Sequence, residues 1–326
     1  MLSRLRQPAQ VFFLLLAFLF IALLLRSQWD ELSAYPWQLR PSWLILSALL
    51  IGASWLIEVG IWRWTLILMG GRLSFVVAAR IWFLSAIVRY IPGNVWQPLG
   101  MMVLCQRRGI RAEATISSIA LFQAVNLLTI FVIAAVYFPL SGNLGLLTEL
   151  LPGLDLWLGL AGLPILLFLL RPAWLIALLN WMLRRIGRSP LPMELRSRTL
   201  LALMVVTVVD WLLFGAGFGA LIMAITQFGV AELPRLWPHL ASTYAVAYAL
   251  GYLSFVTPSG LAVREGALYL LLTPLLGGGL TTAASLAMRV WLLLGELAAA
   301  GLSLLVGREN VPVVEQPALV GGMGDG

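Results

Sequence analysis

Six ionisable side chains stand within otherwise apolar stretches of this chain: Glu58, Asp210, Arg264, Glu265, Arg289 and Glu296. A charge at the centre of a bilayer costs about 2.5–3.5 kcal/mol on insertion scales, so each needs a partner or a task. Arg289 and Glu296 lie close to two helical turns apart and share a face, a stripe that Ser285 and Ser303 extend. Glu58 has Ser54 and Thr65 on its face, and Asp210 has Thr207. Arginine is a permanent cation whose planar fork matches phosphate. The chemistry open to this set is recognition of a buried anion by Arg264 and Arg289. Glu265, Glu296, Glu58 or Asp210 would pair with the arginines when no anion is bound, and Glu265 could also orient an arginine or move a proton. The bland alternative is a set of interhelical hydrogen bonds and ion pairs that lock a bundle together.

The elements that must hold these groups include two interrupted ones. Segments 80–105 and 240–275 are apolar but broken by proline and small residues. The first break reads Arg89-Tyr-Ile-Pro-Gly-Asn-Val-Trp-Gln97 and the second Gly251-Tyr-Leu-Ser-Phe-Val-Thr-Pro-Ser-Gly260. Backbone freed from helical hydrogen bonding at membrane depth survives only when buried in protein or facing a wet cavity. Each break therefore predicts a re-entrant hairpin or a broken helix. After Pro258 a helix should restart near Ser259 and Gly260, presenting free N–H groups that favour an anion, with Arg264 about one turn in. Tyr90, Pro92, Gly93, Asn94 and Gln97 would form a second such end. A plain tight turn between two short helices is the rival explanation for each break.

Around these segments the chain is 61% hydrophobic and only 11% charged, against about 25% charged for soluble domains. Full spans are expected at about 9–26, 43–69, 113–138, 154–170, 200–228 and 281–306, each near the roughly 20 residues a bilayer requires. The expected fold is all-α: a polytopic helical membrane bundle of about six full spans plus two broken or re-entrant hairpins. Residues 1–308 form the transmembrane domain, with the first span read as an uncleaved anchor rather than a signal peptide, and 309–326 a disordered tail. Segment 173–187 reads as an interfacial amphipathic helix.

Net charge is +7, carried by arginine. Most arginines fall in alternate loops, including Arg72, Arg107, Arg108, Arg111, Arg184, Arg185 and Arg198, which marks those loops as cytoplasmic. The expected location is the cytoplasmic (inner) membrane, multi-pass, with both termini cytoplasmic. The basic charge thus needs no nucleic acid partner. The single Cys105 cannot form an intrachain disulfide, and no metal-ligand cluster, nucleotide-binding loop or nucleophile elbow is present, so no cofactor is expected. Overlaying Pro92 on Pro258 sets Gly100 on Gly266, Thr115 on Thr281 and Gln123 on Arg289. Three spans separate the breaks, so they should enter from opposite sides. That predicts an inverted repeat of about 43–138 and 200–306, an arrangement that builds midplane sites in many transporters.

The stretches Arg89-Tyr-Ile-Pro-Gly-Asn-Val-Trp-Gln97 and Thr257-Pro-Ser-Gly-Leu-Ala-Val-Arg-Glu-Gly266 resemble the flippase-like family that includes the transmembrane region of lysylphosphatidylglycerol synthases. Arg289 fits its pattern, and the resemblance covers about residues 8–307. It implies that Tyr90, Pro92, Gly93, Pro258, Gly260, Arg264, Glu265 and Arg289 fall on motif positions, and that the protein moves a lipid with a polar head group or assists lipid or polyprenyl-linked glycan metabolism. Two positions depart from the pattern. Pro258-Ser-Gly-Leu-Ala262 stands where Pro-Gly-Gly-Leu-Gly is expected, and Gln123 where an acid often occurs. The synthases' soluble aminoacyl-transferase domain is not expected here.

The leading expectation is therefore a translocator of a phosphate-bearing lipid or polyprenyl-phosphate-linked head group, not an enzyme. Its partners would be an anionic membrane lipid, membrane proteins of lipid or glycan biosynthesis, and a second copy of the chain. The first alternative is a polyprenyl-phosphate-dependent glycosyltransferase with Asp30-Glu31 as its outer-loop acids. The second is a non-transporting scaffold.

Overall fold

A computed structural model describes residues 22–90, 96–140, 170–185, 194–254 and 260–306, with the isolated positions Leu19, Leu167, Phe168, Gly187 and Pro190. The spans expected at 9–26 and 154–170 lie largely outside these residues, as does the tail from 309.

Every described element is helical. In chain order they are α1 (Trp29–Ala34), α2 (Pro41–Leu68), α3 (Phe75–Ala86), α4 (Trp96–Gln106), α5 (Ala112–Leu140), α6 (Ala173–Arg185), α7 (Ser197–Ile225), α8 (Leu233–Leu253), α9 (Val263–Leu276) and α10 (Gly278–Val306). Short 3-10 turns, Ile87–Tyr90 and Val230–Glu232, follow α3 and precede α8. Four helices, α2, α5, α7 and α10, are long and apolar enough to cross a membrane. At about 1.5 Å per residue, their 28–29 residues exceed a hydrocarbon core of about 30 Å, which such helices accommodate by tilting. The protein is a multi-pass helical membrane bundle. Both broken segments are also present as paired shorter helices, α3 with α4 and α8 with α9.

Local chemistry sets several boundaries. Pro41 occupies the first turn of α2, where its missing N–H is not needed. The Ser74 hydroxyl accepts from the Val77 N–H at 3.4 Å to open α3. Glu31 reaches across the chain, its carboxylate accepting from the Gly279 N–H at 2.6 Å. This places a negative charge on the first-turn amides of α10, a favourable end for it.

Packing relies on small residues. A Cβ on Gly215 of α7 would lie 2.5 Å from the Ala241 Cα of α8, and one on Gly217 would lie 3.3 Å from the Ile51 amide nitrogen of α2. Lipid tails are as apolar as leucine, so close backbone approach and dispersion supply the association. Two apolar clusters result. One gathers Trp62, Leu66, Leu121 and Leu200 with the inner face of α6 (Leu175, Ile176, Leu179, Leu183). The other gathers Phe218, Ile222, Leu240, Tyr244 and Met288. The exposed side of α6 carries Trp174, Trp181 and Met182, with the Arg185 guanidinium over the Trp181 ring. This is the amphipathic division expected of segment 173–187.

Gly215→Ala should force α7 and α8 apart and destabilise the bundle by about 1–3 kcal/mol. Thermal unfolding of the detergent-solubilised protein will register this as a lowered midpoint. An unchanged midpoint would mean the helices can separate freely.

Candidate functional site

The second break is built on backbone that only particular residues tolerate. Gly260 has φ +66 and approaches α8 so closely that a Cβ there would stand 2.6 Å from the Gly251 Cα. Two residues on, Ala262 has φ 69 and ψ −39, a region that a Cβ makes costly. Helix α9 therefore starts at Val263, later than the start expected near Ser259 and Gly260, because the chain must first pass through two positive-φ turns. Nor is the helix start left open. The Glu265 carboxylate folds back and accepts from the Ala262 N–H at 2.7 Å.

Glu265 is also the hub of the charges. Its carboxylate, 1% exposed, accepts from the Arg289 guanidinium of α10 and lies 3.6 Å from Arg264. The role in orienting an arginine thus extends to two of them. The helix-end N–H groups expected to meet a ligand anion are served in part by this internal carboxylate, and the guanidinium groups are what face the cavity. The Arg264 guanidinium also lies over the Tyr244 ring, 5.6 Å from its centroid.

Glu296 shares a face of α10 with Arg289 and reaches a different element. It pairs with Arg89, at 3.2 Å, which ties the 3-10 turn after α3 to α10. Ser54 lies beside Glu58 on α2, yet its hydroxyl donates to Asp210 of α7 at 2.6 Å. Thr65 is bonded to the carbonyls of Trp62 and Ser118, and Thr207 to that of Leu203. The polar face expected around Glu58 is therefore divided among other partners. A helical wheel shows which groups are neighbours on one helix, and the packing of α2 on α7 decides which one a side chain meets. Asn126 of α5, on the stripe with Gln123, accepts from the Trp211 indole at 2.9 Å.

These groups surround one polar chamber with two lobes. The first lobe, about 160 Å³, is lined by Glu58, Arg89, Gln97, Gln123, Tyr248 and Arg264 among others. The second, about 60 Å³, shares Glu58, Arg89, Tyr248 and Arg264 and adds Asp210, Tyr244, Arg289 and Glu296. Gly251 and Gly260 form part of its wall. Two buried donors, the Gln123 side-chain nitrogen and the Tyr244 hydroxyl, have no hydrogen-bond partner among the described residues. A buried donor without an acceptor costs about 1–3 kcal/mol, so these two mark where an acceptor is wanted.

The structure thus brings Arg264, Arg289, Glu296, Gln97, Gly260, Glu58 and Asp210 to the chamber or its wall, with Glu265 behind them against Arg264 and Arg289. Pro92, Gly93, Asn94, Pro258 and Ser259 lie outside the described residues, and Tyr90 is described only as the end of its 3-10 turn. Sequence reasoning missed Arg89 as a site residue, and with it Tyr244, Tyr248 and Trp55. Arg89 stood in the first break and could have been found from its type and place. The aromatics carried no signal, because a tyrosine within an apolar run reads as core.

Substitutions at two positions test this arrangement. Ala262→Gly relieves the positive-φ residue and should raise stability, by about 1 kcal/mol. Glu265→Gln leaves two guanidinium groups short of a counter-charge and should cost about 3–5 kcal/mol, with a milder loss for Glu265→Asp. Thermal midpoints of the purified variants give both signs.

No curated protein and no solved structure matches the chain. One family model does. That of the lysylphosphatidylglycerol synthase transmembrane region matches residues 10–299, most of the chain and both broken segments. Family and fold together support a general lipid-handling function with lipid-related membrane partners. The chain, with its two interrupted helices folded around a chamber of arginines and carboxylates, belongs to the lysylphosphatidylglycerol synthase transmembrane-region family.

Proposed function

We propose that the protein translocates an anionic lipid, carrying its phosphate-bearing head group through the polar chamber while the tails stay in the bilayer. The observation behind this reading is that three guanidinium groups from three different elements, Arg89, Arg264 and Arg289, line one cavity inside an apolar bundle. Beside them are the donors of Gln123 and Tyr244 that lack acceptors among the described residues. A phosphate supplies several acceptor oxygens and a charge, and the arginines lower the cost of taking it into hydrocarbon. Glu265 and Glu296 hold the arginines in place. An arriving phosphate competes with these carboxylates, so the guanidinium groups change partner without being left bare.

An inverted repeat would give such a chamber access from both sides. The overlay that sets Pro92 on Pro258 also sets both ends of α5, Ala112 and Leu140, on those of α10, Gly278 and Val306. Each half runs in the same order: a long helix (α2, α7), two shorter helices around a break (α3 with α4, α8 with α9), and a second long helix (α5, α10). Helices α2 and α7 meet through Ser54 and Asp210, each near the middle of its helix, as helices related by a pseudo-two-fold axis do. With the arginine-rich loops cytoplasmic, both termini lie on that side of the inner membrane. Glu31, one of the two acids offered for glycosyl transfer with Asp30, is engaged at the start of α10, which favours translocation over that chemistry.

The test is transfer of labelled anionic phospholipid and labelled polyprenyl phosphate across vesicles containing the purified protein. Arg264→Ala and Arg289→Ala should each slow transfer about tenfold or more, the loss of a charge-assisted contact worth roughly 1.5–3 kcal/mol. Arg264→Lys, which keeps the charge and loses the fork, should fall between. Folded wild-type protein that moves neither lipid would sink the proposal.

A further inference from the structure

A second cavity adjoins the chamber on the outside of the bundle. It encloses about 840 Å³ between α2, α3 and α10. Its wall is almost wholly apolar, and small residues, Ala48, Gly52, Gly295 and Ala298, deepen it. The helices that form it do not close it. Helix α2 packs along α7, α5 and α3, and α10 along α9 and α3, but α2 and α10 have no extended packing on each other.

One side chain borders both this groove and the polar chamber. Trp55 lines both the groove and the second lobe, and packs against both apolar clusters. Its ring meets Phe83 edge-on at 6.1 Å and covers Gly295 so closely that a Cβ there would lie 2.7 Å from the indole. The polar side begins at once: Glu58 is one helical turn from Trp55, and Glu296 follows Gly295. Past the indole lie Arg289 and the Tyr244 hydroxyl, which is buried and has no hydrogen-bond partner among the described residues.

From this continuity we infer that the groove holds an acyl chain of the lipid whose head group occupies the chamber, and that Trp55 is the gate between them. The inference rests on the translocation reading for its head group, but its own observation is the joined pair of cavities. Length decides the kind of chain. The α10 wall runs from Trp291 to Ser303, about 18 Å at 1.5 Å per residue. That is close to one leaflet of a core about 30 Å thick. A phospholipid acyl chain, confined to one leaflet, fits this length, whereas a long polyprenyl chain would overrun it. Gly52 makes the inference testable. It lines the groove, and a Cβ added there meets nothing within 4 Å, so a large side chain can fill the groove without displacing the core.

The experiment uses the full chain in phosphatidylcholine vesicles containing phosphatidylglycerol with a photoactivatable group on one acyl chain. Cross-links are mapped by mass spectrometry. Labelling of 48–56 and 291–303 should exceed that of an ordinary lipid-facing surface, Leu201, Val205 and Val209 of α7, at least fivefold. Gly52→Phe should abolish the excess, and a polyprenyl phosphate with the same photoactivatable group should give none. Uniform labelling of the three surfaces in wild type overturns the groove, as does an excess that survives Gly52→Phe. Transfer is read on the same vesicles: groove labelling without transfer keeps the chain site and sinks translocation, and transfer with uniform labelling does the reverse. For the gate, Trp55→Ala should speed transfer severalfold and Trp55→Phe should not. Equal rates in all three remove Trp55 from that role.

Discussion

The Glu265 carboxylate is the interaction on which the rest of the site depends. It is almost wholly buried, and an ionised carboxylate there would be prohibitive without donors. It has the Ala262 N–H as one donor, the Arg264 guanidinium as a counter-charge 3.6 Å away, and the Arg289 guanidinium as another donor. The first starts α9, the second belongs to the wall of the chamber, and the third ties that wall to α10. One side chain thus satisfies a helix end, holds two arginines and joins two helices. Because these bonds are made together, the start of α9 cannot slip along the sequence without also losing the arginine contacts. A buried ion pair is weak evidence of net stability, so this cluster is better understood as fixing geometry.

That geometry has a steric cost elsewhere. To bring Arg264 beside Tyr244, the loop before α9 must run against α8, which is why glycines face each other at 251 and 260. Ala262 then accepts a positive φ that glycine would take without strain. Similar close approaches at Gly215 and Gly217 draw α7 onto α8 and α2. The close approach of Gly251 and Gly260 forms part of the chamber wall itself, beside Glu58, Arg89 and Arg264.

Much of this could be read in the sequence for one reason: a bilayer imposes length and polarity on every span. The apolar runs at 43–69, 113–138, 200–228 and 281–306 correspond to α2, α5, α7 and α10 within a few residues. Proline and glycine marked both breaks. Contacts between helices were not legible. Ser54 sits beside Glu58 on the wheel yet bonds Asp210, and Glu296 shares a face with Arg289 yet pairs with Arg89, because partner choice belongs to the packing of distant segments. Ala262 misplaced a helix start because nothing in an alanine announces a positive φ. Tyr244 and Trp55 remained hidden because hydropathy weights an aromatic the same whether it fills a core or borders a cavity.

The adjacency of chamber and groove follows from how helices bury charge in lipid. A polar cavity within a bundle must be screened from hydrocarbon by side chains, and the screen is thinnest where two long helices do not pack on each other. Between α2 and α10 the barrier includes Trp55, amphipathic itself, resting on a residue with no side chain at all. An indole tolerates an apolar surface on one side and polar groups on the other, and the absence of a Cβ at 295 leaves room for its six-membered ring. A bulkier residue there would have to push the ring toward one cavity or the other. The same small residues that let the helices approach one another elsewhere here hold a single ring between the charged interior and the lipid-facing groove.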